Sequence, residues 1–149
     1  MNTPIAVLLS RKGSSVFAVA ALATVADAVH AMNLHKVGSV IVTQGDQLVG
    51  IFTERDVLTR VVAAGRSPEM TSVADVMTHN PVTATPHDTI EDVMRVITER
   101  RCRHLPVIDP ATGSVQGVIS IGDVMSWMVD SHRAEADQLR TYVQGVYVT

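Results

Sequence analysis

Cysteine, aromatic residues and excess charge are all scarce in this chain of 149 residues. Its one cysteine, Cys102, cannot form an internal disulfide, which favours a reducing compartment such as the cytoplasm. Aromatic side chains make up 3% of the residues, so aliphatic side chains and methionine must fill the core. The net charge of −3 argues against a nucleic-acid surface, because such a surface needs a concentrated basic face.

Long apolar runs are missing as well. The run from Ile5 to Leu9 is too short for a signal peptide and has no basic region before it. No stretch approaches the roughly 20 apolar residues that a membrane-spanning helix needs. With 46% hydrophobic residues, the chain is expected to be a compact cytoplasmic protein with neither a membrane nor a nucleic acid as partner.

The chain contains the same pattern twice. The segment Gly50–Asp56 returns as Gly117–Asp123, and Thr24–Val29 returns as Thr89–Met94. Between its two matched segments, the second copy has a longer turn than the first copy. Each copy carries a hydroxyl and a carboxylate at fixed places, Thr53 with Asp56 and Ser120 with Asp123. The repetition therefore predicts paired binding sites in a pseudo-symmetric body.

Each copy predicts the element order β-α-β-β-α, which gives an α+β fold. Apolar residues recur at helical spacing over 25–32 and over 90–97, and short apolar strands follow each of these helices. An extended segment opens each copy, at Val16–Val19 and at Pro81–Thr85. We expect repeat one over 8–66, repeat two over 72–130 and a helical tail over 131–149.

The repeated hydroxyl and carboxylate have two interpretations. Thr53 with Asp56, and Ser120 with Asp123, have the spacing of a helix capping box, which is a common structural feature. Each pair also follows a strand containing a glycine, Gly50 or Gly117, where another group can approach closely. A helix N-terminus favours phosphate, and an acid one turn later can accept hydrogen bonds from a ribose. The second interpretation is a nucleotide site.

These motifs together resemble cystathionine-β-synthase (CBS) domains, and the pair resembles a Bateman module of the stand-alone bacterial type. The resemblance rests on Gly38–Val42, Arg103–Val107, Gly50–Asp56, Gly117–Asp123 and the opening segments of both repeats. It implies binding of an adenine nucleotide in clefts between the repeats. AMP is the favoured ligand, with ATP and NAD as alternatives, and no other cofactor is required.

The resemblance also assigns roles by position. Asp56 and Asp123 would hold ribose, and Thr53 and Ser120 would lie near phosphate. The full set of implied ligand-binding residues is Asp123, Ser120, Ile121, Asp56, Thr53, Arg55, Ala18, Val82, Thr83, Arg103, His104 and Pro106. Repeat one departs from the pattern, because Gly38 and Ser39 stand where Arg103 and His104 stand in repeat two.

The two carboxylates that are implied to hold ribose are accompanied by neither a general base nor a metal-ligand motif, which favours binding over catalysis. The expected function is that of a regulatory module, a homodimer, acting on a regulated protein that the sequence does not reveal. Two alternatives stay open: an enzyme acting on the bound nucleotide, and a dimerisation unit with empty clefts. The homodimer is expected from apolar outer helices and from a tail stripe of Leu139, Tyr142, Val143 and Val146.

Overall fold

The computed structural model describes residues 2–12 and 16–148, and the side chains of 144–148 lie outside the description. It confirms the predicted α+β fold of two β-α-β-β-α repeats followed by a C-terminal helix. Repeat one consists of β1 (Ala18–Ala20), α2 (Val25–His35), β2 (Ser39–Gln44), β3 (Gln47–Thr53) and a short α3 (Glu54–Asp56) that continues as a π-helical segment (Val57–Val62). Repeat two contains α5 (Ile90–Arg100), β5 (His104–Ile108), β6 (Val115–Ser120) and α6 (Ile121–Val148). The remaining elements lead into the repeats: α1 (Ile5–Lys12), α4 (Val73–Val76) and β4 (Thr78–His79).

The sheets of the two repeats share one design. β1 pairs with β2 in parallel, and β2, β3 and β4 continue as antiparallel neighbours. β5 and β6 form the matching antiparallel hairpin of repeat two. The register shifts after Val42 in one hairpin and after Val107 in the other, which are equivalent positions of the duplication.

The opening strand of repeat two is shorter than predicted. Instead of a strand over Pro81–Thr85, the structure has one parallel bridge between Ala84 and Val107. Two hydrogen bonds hold it, from the Ala84 amide to the Pro106 carbonyl (2.9 Å) and from the Ile108 amide to the Ala84 carbonyl (2.8 Å). Prolines at 81 and 86 flank the bridge, and proline cannot donate to a strand ladder, so pairing stops close to Ala84.

Matching signals begin and end the first helix of each repeat. Capping boxes start them, Thr24 with Asp27 in α2 and Thr89 with Asp92 in α5. At the other end, Lys36 and Arg101 adopt the left-handed conformation, with φ of 55° and 52°. The structure therefore places a cation at the same helix end in both repeats, where the helix dipole favours positive charge.

Two separate cores are built almost entirely from aliphatic residues and methionine. The first core lies under the sheet of repeat one. Among the described residues, Phe52 of this core is the single buried aromatic side chain. The second core lies under β5 and β6. Its buried members are Ile5, Leu8, Ala84, Ile90, Val93, Ile97, Leu105, Val107, Ile119 and Val124.

The leading helices cross between the repeats. α1 places Ile5 and Leu8 in the second core, whereas α4 places Val73 and Val76 in the first core. Equivalent hydrogen bonds fix both crossings. The Ile90 amide donates to the Thr3 carbonyl (2.9 Å), and the Val25 amide donates to the Thr71 carbonyl (2.9 Å). Each repeat thus completes its core with a helix that precedes the other repeat.

The predicted tail is the continuation of α6. This helix runs for 28 residues without interruption, so the second helix of repeat two and the tail are one element. Leu139 and Tyr142 are 64% and 71% exposed, and Val143 is 43% exposed. The fourth residue of the predicted stripe, Val146, has a side chain outside the description.

Candidate functional site

Two clefts lie between the repeats, one beside each repeated carboxylate. We call them the Asp56 cleft and the Asp123 cleft. The Asp56 cleft has a volume of about 460 Å³, and the Asp123 cleft has a volume of about 360 Å³. The Asp56 cleft is lined by Ile51, Thr53, Glu54, Arg55, Asp56, Thr59, Arg60, Thr78, Pro81, Val82, Arg100, Arg101, Cys102, Arg103 and His104. The Asp123 cleft is lined by Lys12, Val16, Phe17, Lys36, Val37, Gly38, Ser39, His104, Val118, Ser120 and Asp123.

Both repeated carboxylates cap a helix, as the structural interpretation of their spacing predicts. The amide of Thr53 donates to Oδ2 of Asp56 (2.9 Å), and the Asp56 amide donates to the Thr53 hydroxyl (3.3 Å). Ser120 and Asp123 repeat this exchange at 2.8 and 3.1 Å. In both boxes the backbone amide bonds to Oδ2. Capping therefore does not use Oδ1 of either carboxylate.

The strand glycines do permit a close approach. A Cβ on Gly117 would lie 2.7 Å from Cδ2 of Leu9, which belongs to α1. A Cβ on Gly50 would lie 2.8 Å from the carbonyl oxygen of Thr78 and would also meet the side chain of Met77. The groups that approach belong to α1 and to the segment that follows α4. The two glycines therefore allow these segments to pack beside the clefts.

Lys12 reaches from α1 to the carboxylate of the Asp123 cleft. Its ammonium donates to Oδ2 of Asp123 (2.7 Å) and to the Val118 carbonyl (2.6 Å). Partial burial raises the pKa of Asp123, but the hydrogen bonds from Lys12 and from Ser120 outweigh it, so the pKa lies below the ordinary value. The ionised carboxylate that a ribose would need is therefore present, with a cation already on it.

Asp56 has a different partner. Nε of Arg60 lies 3.5 Å from Oδ1 of Asp56, and the Arg60 guanidinium donates to the carbonyls of Val76 and Met77 at 3.2 and 2.7 Å. Asp56 is itself 7% exposed. Arg60 thus anchors the end of α4 beside the buried carboxylate.

His104 lies between the two clefts and lines both of them. Burial lowers the pKa of its imidazole, although the nearby Glu54 carboxylate acts in the opposite direction. The shift favours the neutral form of the ring. Its Nε2 lies 3.6 Å from where a Cβ on Gly38 would be, so His104 approaches the backbone of the other repeat.

Several predicted site residues meet in these clefts. Thr53, Arg55, Asp56, Val82 and Arg103 line the Asp56 cleft. Ser120 and Asp123 line the other cleft, and His104 lines both. Arg103, which belongs to repeat two, therefore faces the carboxylate of repeat one.

Four predicted site residues lie away from the lining of both clefts. Ile121 is 40% exposed, and its amide donates to the Arg103 carbonyl (2.9 Å). Thr83 lines a separate small depression beside α5. Ala18 belongs to β1 and Pro106 to β5, where Pro106 is buried.

Five cations that the sequence pattern did not indicate also line the clefts. They are Lys12, Lys36, Arg60, Arg100 and Arg101. Lys36 and Arg101 occupy equivalent positions of the duplication, so repeat one does keep a cation near its missing Arg103. That match was visible in the sequence, whereas the contact of Lys12 with Asp123 was not.

Neither a metal centre nor a membrane span is evident in the parts of the chain that the structure describes. Over residues 2–12 and 16–148, no three His, Cys, Asp or Glu side chains cluster as metal ligands. Within the same ranges, no helix combines the length and the apolar character needed to cross a bilayer.

Comparison with known proteins gives one family. The family profile described as "CBS domain" matches residues 10–63 and 73–130. The chain is 42% identical over 129 residues to the CBS domain-containing protein CBSX3, mitochondrial, of Arabidopsis thaliana, covering 83% of this chain and 62% of that protein. Two other Arabidopsis relatives are matched over 20% and 14% of their lengths. The chain thus spans less than two thirds of these curated relatives.

Solved structures agree with the fold. A protein with CBS domains from Burkholderia ambifaria, described as a candidate signal-transduction protein, is 34% identical to this chain and superposes with a TM-score of 0.81. The match covers 86% of this chain and 95% of that chain. A hexameric CBS-CP12 protein from bloom-forming cyanobacteria is 30% identical with a TM-score of 0.75, over 84% and 67% of the two chains.

Proposed function

Because the chain belongs to the CBS-domain family, we propose that it is a regulatory module that binds an adenine nucleotide in its two clefts and has no catalysis of its own. AMP is the favoured ligand, with ATP and NAD as alternatives. One observation carries the proposal: each cleft between the repeats has an ionisable carboxylate at the start of a helix, with cations around it.

The chemistry of the clefts supports a nucleotide. Oδ1 of Asp123 can accept hydrogen bonds from ribose hydroxyls while Oδ2 keeps its capping bond, and Oδ1 of Asp56 can do so beside Arg60, whose Nε lies 3.5 Å away. Arginines and lysines at the rim suit phosphate. Apolar residues such as Val82 in one cleft and Phe17 in the other offer surfaces for a base. The volumes of about 460 and 360 Å³ fall in the range of small-molecule sites.

Regulation without catalysis is the favoured role of this arrangement. The two carboxylates are engaged in capping and ion pairs, and the histidine between the clefts is half-buried and has no described nucleophile hydrogen-bonded to it. Incubation of the protein with ATP or NAD, followed by chromatography of the nucleotides, tests this point. Any product above a protein-free blank would favour the enzyme alternative.

Replacement of the carboxylates tests the nucleotide site. We expect Asp123→Ala and Asp56→Ala each to weaken AMP binding at their own cleft by about 10- to 150-fold, because a hydrogen bond to a charged acceptor contributes about 1.5–3 kcal/mol. Calorimetry with AMP measures this. Unchanged affinity in both variants and in the double variant would refute the ribose role.

The chain supplies matched controls for the loss of a helix cap. Asp92 closes the capping box of α5 in repeat two, and Asp27 closes that of α2 in repeat one. Neither lines either cleft. Asp92→Ala and Asp27→Ala should therefore lower stability slightly, because each removes one half of a capping box, yet leave AMP affinity unchanged.

We also propose that the module is a homodimer formed through its outer helices. Leu58 and Val62 of the π-helical segment are both 65% exposed, and Met125 and Val129 of α6 are 59% and 50% exposed. These apolar side chains lie on the last helix of each repeat, and a twofold axis would bury both sets at once. A relative of this chain is described as hexameric, which supports assembly in the family.

A further inference from the structure

Arginine side chains are concentrated in one of the two clefts. Of the chain's 12 lysine and arginine residues, five line the Asp56 cleft: Arg55, Arg60, Arg100, Arg101 and Arg103. Two carboxylates, of Glu54 and Asp56, line the same cleft. Five positive charges against two negative charges leave an excess of three. This local excess has the opposite sign to the net charge of −3 of the whole chain.

The Asp123 cleft carries far less charge. Its lining includes two ammonium groups, of Lys12 and Lys36, against the carboxylate of Asp123. Lys12 is already paired with that carboxylate at 2.7 Å. Lys36 is therefore the one cation in the described lining of this cleft that remains for a ligand. His104 lines both clefts and therefore does not change the contrast.

Structural roles account for only part of the arginine cluster. Arg60 is held by two backbone carbonyls and by Asp56. Arg100 and Arg101 end α5, where a cation is favoured, but the equivalent end of α2 has a single lysine in the same place. Within the described residues, no side-chain acceptor or ion-pair partner is found for Arg55, Arg100, Arg101 or Arg103.

We infer that the Asp56 cleft selects nucleoside polyphosphates over monophosphates, whereas the Asp123 cleft does not discriminate by phosphate number. The inference rests on the proposed function and refines it, since it leaves AMP as the ligand of the Asp123 cleft. A phosphomonoester carries about two negative charges at neutral pH, and each further phosphate adds to them. Unpaired guanidiniums can bind such a chain through paired hydrogen bonds.

Binding to the Asp123→Asn variant isolates the Asp56 cleft. We expect ATP to bind this variant about tenfold more tightly than AMP, a difference of about 1.4 kcal/mol, with ADP between them. Calorimetry at low salt and without divalent cations measures the series. The preference should shrink at high salt, because the arginines are exposed and screened. Equal affinity for AMP and ATP in this variant would overturn the inference.

Paired substitutions identify the side chains responsible. Arg100→Gln with Arg101→Gln, in the same background, should reduce the preference for ATP to about twofold or less, since two of the unpaired charges are lost. The matched control is Arg66→Gln with Arg133→Gln, which removes the same charge at exposed positions outside both clefts. An unchanged preference in the first pair, or an equal loss in the control pair, would contradict the assignment.

The reciprocal variant separates this inference from the proposed function. Asp56→Asn should leave binding at the Asp123 cleft, with AMP and ATP within about twofold of each other because only Lys36 is available. A strong preference for ATP there would contradict the contrast between the clefts. If the unmodified protein bound none of the three nucleotides, the proposed function itself would fail, which is a different result from equal binding of all three.

Discussion

Lys12 holds one oxygen of the carboxylate in the Asp123 cleft, next to the proposed ribose contact at Oδ1. Its ammonium and the Ser120 amide both donate to Oδ2 of Asp123, at 2.7 and 2.8 Å. The side chains of Lys12 and Asp123 are 39% and 25% exposed, so water screens the pair and its contribution is small. A ligand can therefore displace Lys12 at low cost.

The Lys12→Met substitution tests this competition. Adenosine is the probe, because it has a ribose but no phosphate that Lys12 could attract. In an Asp56→Ala background, we expect adenosine to bind about 1.5- to 5-fold more tightly once Lys12 is removed, which corresponds to an exposed ion pair of about 0.2–1 kcal/mol. Arg11→Met is the control, since Arg11 pairs with Asp130 instead. Weaker adenosine binding in Lys12→Met would show that Lys12 assists the ligand.

For single residues, the duplication in the sequence predicts the site residues that occur in both copies and does not predict those that occur only once. Asp56 and Asp123 were found because both copies carry them, and both line clefts. Lys12 was missed because α1 lies outside the repeated pattern and joins the cleft only through folding. The lowered pKa of His104 was also beyond the sequence, because partial burial of the imidazole causes it.

Among the helices, α1 is small but holds a deep position. Ile5 is fully buried in the second core, whereas Val7 of the same helix is 41% exposed. We expect Ile5→Ala to lower the free energy of unfolding by about 2–5 kcal/mol, as other large-to-small changes in cores do. Val7→Ala should change it by no more than about 0.5 kcal/mol. Urea denaturation followed by circular dichroism compares the two.

Equal effects of these two substitutions would mean that α1 does not complete the second core. If the free energy of unfolding depends on urea concentration with the same slope in both variants, the substitution has changed stability and not the extent of unfolding. The test is selective for the crossing of the leading helices, because Ile5 and Leu8 of α1 are distant in sequence from every other buried residue of that core.

Local patterns predicted most elements but not their long-range partners. Helical spacing located α2 and α5, and apolar runs located both hairpins. The strand predicted over Pro81–Thr85 was wrong except for the single bridge at Ala84, because the flanking prolines limit the hydrogen-bonded pairing of strands. The crossing of α1 and α4 leaves no local trace, since either helix could cover either core with the same apolar side chains.

Exposed apolar helix faces of the whole molecule favour the proposed dimer. We expect light scattering at micromolar concentration to give the mass of a dimer, because Leu58, Val62, Met125 and Val129 otherwise stay in water. A mass of one chain would refute the homodimer. Leu58→Glu with Met125→Glu should dissociate the dimer if these faces form the interface.

Removal of residues 131–149 tests the contribution of the tail. Leu139 and Tyr142 are exposed along a helix that extends beyond both cores, and an isolated helix of this length is marginal in water. A dimer that dissociates more readily after truncation would place the tail in the interface. If the truncated chain dimerises as tightly as the full chain, the outer helices of the repeats suffice.

The crossing of α1 also has a consequence for the time at which the protein can fold during synthesis. Ile5 leaves the ribosome before every other buried residue of the second core, and Val124 leaves after all of them. At about 5–20 residues per second, the apolar face of α1 waits roughly 6–24 s for its partners. The first core needs only the residues up to Met77 and can close earlier. Although α1 is synthesised before both repeats, it is packed only after the first core can close, and its apolar face stays exposed during that interval.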